Sequence, residues 1–261
     1  MHVSILKRKP CWDELQEKGP AGSQIALFGS ASAGRPRISV CSPSTGYTCD
    51  CEGVRRVLEE EISARGLSTA LAPMKVGCNG VCPYGPLIGF PGKGLFYRQV
   101  SEARAREVVA ETLVRGHILF DLLHVDPTKS TSSSILYDTD SGFIATVDDN
   151  FCMVQVARYF LEFDKGVSCG KCTPCRVGSA VLREILDRII EGKSEPEDLQ
   201  HLDFLCHAMK NASYCDFGRK TSGVVVSVLK HFSSEIEDHV IERRCAAGLC
   251  TGLSGESEGQ E

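Results

Sequence analysis

Hydrophobic residues recur along this chain with two different periods, and the change of period divides it into two parts. In the first part, short apolar runs predict strands at 38–40, 87–90 and 95–97. Helical patterns begin near Val54 and at Ser101. This order of strand, helix, strand, hairpin and helix predicts a compact α/β domain.

Beyond residue 149, apolar positions recur every three or four residues, which is the period of amphipathic helices. They predict four helices, which start near residues 153, 181, 199 and 225. Between the two patterns lies a polar run without a period, Lys129 to Ser134, as expected of a linker.

The predicted fold class is therefore α/β plus all-α, a thioredoxin-like domain followed by a small helical bundle. The expected division is an N-terminal extension at 1–36, the thioredoxin-like domain at 37–125, a linker at 126–143, the helical domain at 144–253 and a polar tail at 254–261. At 261 residues, of which 42% are hydrophobic, the chain is long enough to bury a core in each domain.

Charge and hydropathy exclude two classes of partner. The formal net charge is -5 and no basic stripe is present, so nucleic acid is not an expected partner. Residues 1–9 lack the apolar segment of a signal peptide, and no run approaches the roughly 20 apolar residues of a membrane helix. We expect a cytoplasmic protein that does not insert into membranes.

The most informative feature of the composition is its 14 cysteines. A reducing compartment does not favour structural disulfides, so cysteine clusters there usually serve metal or redox chemistry. The alternative, a secreted disulfide scaffold, is usually shorter than about 100 residues and carries an export signal.

Three cysteines in the second part follow the spacing C-x2-C-x2-C, at Cys169, Cys172 and Cys175. Three thiolates in one tight loop can bind three irons of a [4Fe–4S] cluster. Cys215, two helices later, is the candidate fourth ligand. A thioredoxin-style dithiol would need only two cysteines, whereas a zinc site formed by the same four stays an alternative.

A second group of cysteines lies in the first part. Cys78 and Cys82 share one loop, Cys41 ends the first strand, and Cys49 and Cys51 precede the first helix. Two thiolate pairs suit a [2Fe–2S] cluster, in which each iron takes two protein ligands. A zinc site and a redox disulfide pair remain alternatives.

A third group consists of Cys152, His239, Cys245 and Cys250. Three thiolates and one imidazole can form a closed structural zinc site, which would attach the end of the chain to the helical bundle. Free buried cysteines and a surface histidine are the alternative.

These motifs resemble the family of NADH-binding flavoprotein subunits of complex I, bifurcating hydrogenases and NAD-linked formate dehydrogenases. The stretch 168–176 is similar to that family's [4Fe–4S] loop, and 215–218 is similar to its fourth-ligand segment. Residues 77–87 resemble its thioredoxin-like [2Fe–2S] domain. The resemblance covers about residues 36 to 253.

Two departures from the family limit what the resemblance implies. The central flavin and NADH domain has no counterpart, and no glycine-rich phosphate loop opens a helix, so neither FMN nor NAD is expected on this chain. The family places four residues between its first two [2Fe–2S] cysteines, a distance that falls on Gly46 and Tyr47 here. If Gly53 is the anchor before the helix, Cys49 is the second ligand, with Cys51 as the alternative.

The resemblance implies an iron–sulfur electron-transfer subunit of a multi-subunit oxidoreductase, a hydrogenase, formate dehydrogenase or related complex. It would relay single electrons without a catalytic site or flavin of its own, docked on subunits that carry the flavin or the catalytic metal. One alternative is a structural or regulatory scaffold that has lost clusters and holds zinc. Another is a thiol–disulfide oxidoreductase with a reactive low-pKa cysteine.

Overall fold

The computed structural model describes residues 36–42, 49–78, 84–91, 94–124 and 134–255. Cys82 lies outside these residues, as do nearly all of the predicted N-terminal extension, the first part of the predicted linker and most of the predicted tail.

The first layer is a sheet with the strand order β2-β1-β4-β5. Its strands are β1 (Arg37–Cys41), β2 (Ala70–Met74), β4 (Ile88–Phe90) and β5 (Leu95–Tyr97), with β3 (Val76–Gly77) following β2 outside this sheet. β1 and β2 run parallel, whereas β4 and β5 are antiparallel to their neighbours. Parallel pairing requires a crossover connection, which helix α1 (Cys51–Ala64) supplies.

Local sequence explains where the helices of this layer begin. The Asp50 side chain accepts a hydrogen bond from Gly53 N at 3.1 Å and so caps α1. Ser101 caps α2 (Glu102–Glu107), which continues as a π-helical segment over Val108–Val114. Apolar side chains of both helices and of β1, β4 and β5 form one core. The predicted thioredoxin-like α/β order is confirmed.

A β-hairpin occupies much of the predicted linker, which is a difference from the sequence prediction. Strands β6 (Ile135–Tyr137) and β7 (Ile144–Thr146) are antiparallel, and all six of their residues are buried. Because both faces are covered, these short runs lack the alternation that reveals a half-exposed strand.

The hairpin also connects the two parts of the chain. β7 pairs with β3, which lies on the other side of the predicted linker, in the register Val76↔Ala145. A Cβ on Gly77 would lie 2.8 Å from Ile144 Cγ2, so only glycine permits this close approach. The residue limits of the two domains stay predictions, because this sheet takes strands from both sides of the predicted boundary.

The second layer is the predicted helical bundle. Its helices are α3 (Met153–Val167), α4 (Thr173–Ile190), α5 (Glu197–Ala212), α6 (Asp216–Thr221), α7 (Gly223–His231) and α8 (Ser233–Val240). The sequence predicted one helix where α7 and α8 lie; the chain breaks at Phe232, whose φ and ψ of -131° and 35° are not helical. Short strands β8 (Arg244–Cys245) and β9 (Ser254–Gly255) follow.

One ion pair links this bundle to the first layer. Lys75 Nζ lies 2.8 Å from Glu235 Oε2 and 2.5 Å from Phe151 O. The other carboxylate oxygen of Glu235 accepts a hydrogen bond from Met153 N at 2.8 Å. Lys75 and Glu235 therefore fix the start of α3 against both α8 and the segment between β2 and β3.

Among the helices that the structure describes, none is both long and apolar enough to cross a membrane.

Candidate metal centres

The loop that carries Cys169 joins α3 to α4 and is held by short-range hydrogen bonds. Gly170 has a φ of +66°, a left-handed conformation that favours glycine. Its N–H donates to Ser168 Oγ at 3.2 Å, and Arg176 Nη1 donates to its carbonyl oxygen at 3.4 Å. Cys172 is the N-cap residue of α4. The three cysteines are therefore presented by one loop and the first turn of one helix.

The structure brings Cys215 back to this loop. Nearby backbone N–H groups, first that of Tyr214 and then that of Cys175, lower the pKa of Cys172. Burial raises the pKa of Cys175, and the negative charges of Cys172, Cys215 and Cys169 raise it further. All four predicted ligands therefore lie within electrostatic range of one another. Cys169 and Cys215 are exposed, while Cys175 is buried.

A close backbone approach joins the returning segment to these thiols. A Cβ on Gly218 would lie 2.8 Å from Ser213 Cβ and 3.0 Å from Cys175 Cβ. Real side chains do not pack this tightly against their neighbours, so the segment after Cys215 can approach Cys175 only with glycine at position 218. Four cysteines that one loop and one returning segment bring together fit a bound [4Fe–4S] cluster.

Three thiols meet in the first layer. Cys51 Sγ lies 3.1 Å from Cys41 Sγ and also 3.1 Å from Cys49 Sγ. Leu87 N donates to Cys41 Sγ at 3.2 Å. Cys49 was the predicted second [2Fe–2S] ligand and Cys51 the alternative, and the structure places both beside Cys41.

These three thiols interact with one another, and their pKa values differ. Interactions with the thiols of Cys41 and then of Cys51 lower the pKa of Cys49 to about 3. The interaction with Cys49 is the largest of the effects that raise the pKa of Cys41 to about 12. A first thiolate among the three therefore makes a second one less favourable. Cys78 directly follows β3 and packs against the same core as Cys41 and Cys51.

The third predicted group is brought together completely. One ligand atom from each of Cys152, His239, Cys245 and Cys250 lies within 4.8 Å of the other three, and all four residues are buried. Cys152 Sγ is 3.2 Å from His239 Nε2 and 3.6 Å from Cys250 Sγ, which is itself 3.5 Å from His239 Nε2. Zinc bond lengths predict ligand separations of about 3.6 to 3.8 Å in a tetrahedral site. The donor set and its spacing therefore fit one zinc ion.

Outer contacts orient these ligands. His239 Nδ1 donates to Glu235 O at 2.6 Å, which leaves Nε2 for a metal. Gln155 Nε2 lies 3.9 Å from Cys250 Sγ and 3.4 Å from Leu249 O. Burial lowers the pKa of His239, but hydrogen bonds with Cys152 and Cys245 outweigh it and raise the pKa to about 10.

Sequence reasoning missed the residues that orient the ligands. Ser168 contacts both Gly170 N and, at 3.6 Å, Cys175 Sγ. Its position inside the cysteine motif was the available signal. Gln155 lies three residues after Cys152, which is one helical turn, but this spacing did not indicate that it would reach Cys250.

Comparison with known families bears on the helical part of the chain. Residues 155–239 match the family model described as the NADH-ubiquinone oxidoreductase-F iron-sulfur binding region, and this range contains Cys169, Cys172, Cys175 and Cys215. The helical part of this chain resembles that iron–sulfur binding region, and residues 155–239 are here named the F-type region. The predicted [4Fe–4S] cofactor and the resemblance to the family of NADH-binding flavoproteins are thereby confirmed.

Similar curated proteins share this F-type region. The chain is 42% identical over 113 residues to NADP-reducing hydrogenase subunit HndC of Solidesulfovibrio fructosivorans, and the match covers 43% of this chain and 23% of that protein. It is 39% identical over 105 residues to the F 2 subunit of NADH-quinone oxidoreductase from Rhizobium meliloti, and this match covers 40% of this chain and 25% of that protein. The matched segment is thus about a quarter of the length of these relatives.

Solved structures show weaker overall similarity. An air-oxidized NAD+-reducing [NiFe]-hydrogenase is 32% identical, covering 36% of this chain and 16% of that chain, with a TM-score of 0.34. A thioredoxin-like [2Fe-2S] ferredoxin from Aquifex aeolicus is 22% identical, covering 37% of this chain and 96% of that chain, with a TM-score of 0.31.

We expect Gly218→Ala to remove most of the iron bound by the F-type region. The added Cβ would push the segment 213–215 away from Cys175, because neither neighbour is the far end of a flexible side chain. The measurement is iron and acid-labile sulfide per chain, with circular dichroism to show that the helices remain.

Gly166→Ala is the matched control, since a Cβ on this helical glycine meets nothing within 4 Å. Alanine is favoured over glycine in helices, so this variant should keep its iron and be at least as stable. Full iron in Gly218→Ala would show that the close approach of residue 218 to Cys175 is not required for iron binding.

Proposed function

We propose that this chain is an iron–sulfur electron-transfer subunit of a larger oxidoreductase. Cys169, Cys172, Cys175 and Cys215 hold a [4Fe–4S] cluster, and Cys41, Cys49, Cys78 and Cys82 hold a [2Fe–2S] cluster, with Cys51 as the alternative to Cys49. The observation that carries the proposal is the return of Cys215 to the cysteine loop inside the matched F-type region.

The chemistry of the proposal is the transfer of single electrons, which bound clusters would supply. The protein's own residues set the positions of the cysteine sulfurs and the reduction potential of a bound cluster. Ser168 Oγ lies within hydrogen-bond distance of the Cys175 sulfur, at 3.6 Å, and the backbone N–H of Tyr214 lowers the pKa of Cys172. Such hydrogen bonds stabilise negative charge on sulfur and raise the reduction potential of a cluster.

The exposed side of the F-type region supports exchange of electrons with a partner. Cys169 and Cys215 are exposed, and Tyr214, which precedes Cys215, is 88% exposed. An exposed aromatic side chain next to an exposed ligand suits docking of another subunit at short electron-transfer distance.

The similar proteins indicate what kind of partner this is. Two of them are named as subunits of an NADP-reducing hydrogenase and of an NADH-quinone oxidoreductase. By analogy, this chain docks in a hydrogenase, formate dehydrogenase or related complex, with the flavin and the catalytic metal on other subunits. A cytoplasmic location is part of the proposal, because a reducing compartment keeps cysteines available for iron.

The buried set of Cys152, His239, Cys245 and Cys250 serves a structural role in this proposal, as a zinc site. It would fasten the segment after α8 to the N-terminal end of α3. Zinc has no redox chemistry of its own, so this site stands apart from electron transfer.

A scaffold function is the second candidate, and the compactness of this same site favours it. Four buried ligands within 4.8 Å require no cluster assembly to hold the fold. A chain that bound zinc alone would join other subunits without carrying electrons.

Metal content of cysteine variants tests the proposed function. The chain purified anaerobically should contain about six irons with matching sulfide. Cys172→Ser should lose about four irons and keep two, whereas Cys41→Ser should lose about two and keep four. Cys206→Ala is the control, because Cys206 is buried in the core away from the proposed ligands and hydrogen-bonds to Ser222 O at 3.8 Å.

Two further variants decide between Cys49 and Cys51 as the ligand. If Cys49→Ser loses two irons and Cys51→Ser loses none, Cys49 is the ligand; the reverse result assigns Cys51.

The sulfide content of the wild-type protein decides between the two candidate functions. Wild-type protein without sulfide would contradict the electron-transfer function and leave the scaffold.

Zinc at the buried site should be removable without loss of iron. We expect Cys250→Ser to lower zinc from one to none per chain and to lower the unfolding temperature by at least about 5 °C. The physical reason is that metal binding contributes directly to the stability of a closed site. Zinc content by elemental analysis and thermal unfolding measure this, and unchanged zinc with unchanged stability would disprove the site.

A further inference from the structure

A buried hydroxyl group lies beside the cysteine loop without a hydrogen-bond partner in the part of the chain that the structure describes. It belongs to Ser213, which is 3% exposed. Burying a hydroxyl without a hydrogen bond is unfavourable, and such a group calls for a partner, which a bound ion, cofactor or water can supply.

The backbone of Ser213 is fixed on both sides, so its side chain has a defined place. Ser213 N donates to Met209 O at 3.0 Å, and Arg219 Nε donates to Ser213 O at 3.2 Å. Ser213 ends α5 and lies two residues before Cys215. Movement of the hydroxyl is therefore limited to rotation about its own side-chain bond.

This hydroxyl lies close to a predicted ligand, beside Gly218. A Cβ on Gly218 would lie 3.0 Å from Ser213 Oγ and 3.0 Å from Cys175 Cβ. Cys175 is the most buried of the four cysteines around the loop. The hydroxyl and the Cys175 side chain are therefore near neighbours.

Binding to iron decides whether the Cys175 sulfur is a good acceptor of this hydrogen bond. A thiol is a weak acceptor, whereas a sulfur that is bound to iron as a thiolate accepts charge-assisted hydrogen bonds. Ser168 Oγ already lies 3.6 Å from Cys175 Sγ on its own side. A second donor would become useful once this sulfur carries negative charge.

We propose that the Ser213 hydroxyl donates a hydrogen bond to the Cys175 sulfur when that sulfur is bound to iron. Ser213 is then a positioning residue that raises the reduction potential of the cluster, because the hydrogen bond stabilises the added negative charge of the reduced form. This inference rests on the proposed function.

The test compares Ser213→Thr with Ser213→Val in the full chain. The two side chains have nearly the same shape, and only threonine retains the hydroxyl. In an EPR-monitored redox titration of the [4Fe–4S] signal, the threonine variant should titrate close to the wild type. The valine variant should be harder to reduce by up to about tenfold in the equilibrium constant, which is about 59 mV for one electron.

Unfolding of the metal-free protein gives an independent readout. The valine variant should be at least as stable as the threonine variant there, since the hydroxyl has no partner without the cluster. Ser227→Ala is the control: Ser227 Oγ donates to Gly142 O at 2.8 Å, so its loss should lower stability and leave the potential unchanged.

Several results would overturn the inference. Equal potentials of the threonine and valine variants would do so while leaving the proposed function intact. So would a metal-free threonine variant more stable than the valine variant, because the hydroxyl would then have a structural partner. A wild-type chain without a [4Fe–4S] signal would overturn both the inference and the proposed function.

Discussion

The contact on which the F-type region depends is the close approach of Gly218 to Cys175, where an added Cβ would lie 3.0 Å from Cys175 Cβ. Gly218 follows α5 and Cys175 lies in the first turn of α4, so this approach brings the segment that carries Cys215 back to the loop of the other three cysteines. Gly170 permits the tight turn of that loop and Gly218 permits the close approach of the returning segment. Arg219 holds the returning segment from the other side through Ser213 O.

Crowding of thiols is the second physical theme of the molecule. Around Cys51, the sulfurs of Cys41 and Cys49 each lie 3.1 Å away. Several thiolates would repel one another unless a cation shared their charge. The same reasoning applies to the buried group around His239. A metal at each centre would supply the positive charge that its thiolates require, and its binding would then be coupled to folding.

The sequence predicted which residues group together better than it predicted how the elements connect. The spacing of Cys169, Cys172 and Cys175 indicated a loop that binds a cluster, because metal ligands impose short, regular spacings. The group of Cys152, His239, Cys245 and Cys250 was predicted with all four members. The hairpin at Ile135 to Thr146 was interpreted as linker, since both of its faces are buried and it lacks alternation. The break at Phe232 and the contact of Gln155 with Cys250 depend on tertiary packing, which no local pattern records. The choice between Cys49 and Cys51 also stayed open, because both sulfurs reach the same place.

Mössbauer spectroscopy of the full chain, purified anaerobically with iron-57, shows whether this chain carries two different clusters. The spectrum distinguishes [4Fe–4S] from [2Fe–2S] irons in a single oxidised sample. We predict two components whose areas stand at about two to one, as four irons in the F-type region and two in the first layer require. A spectrum with one kind of cluster, or with none in a protein that retains zinc, would disprove the presence of both clusters.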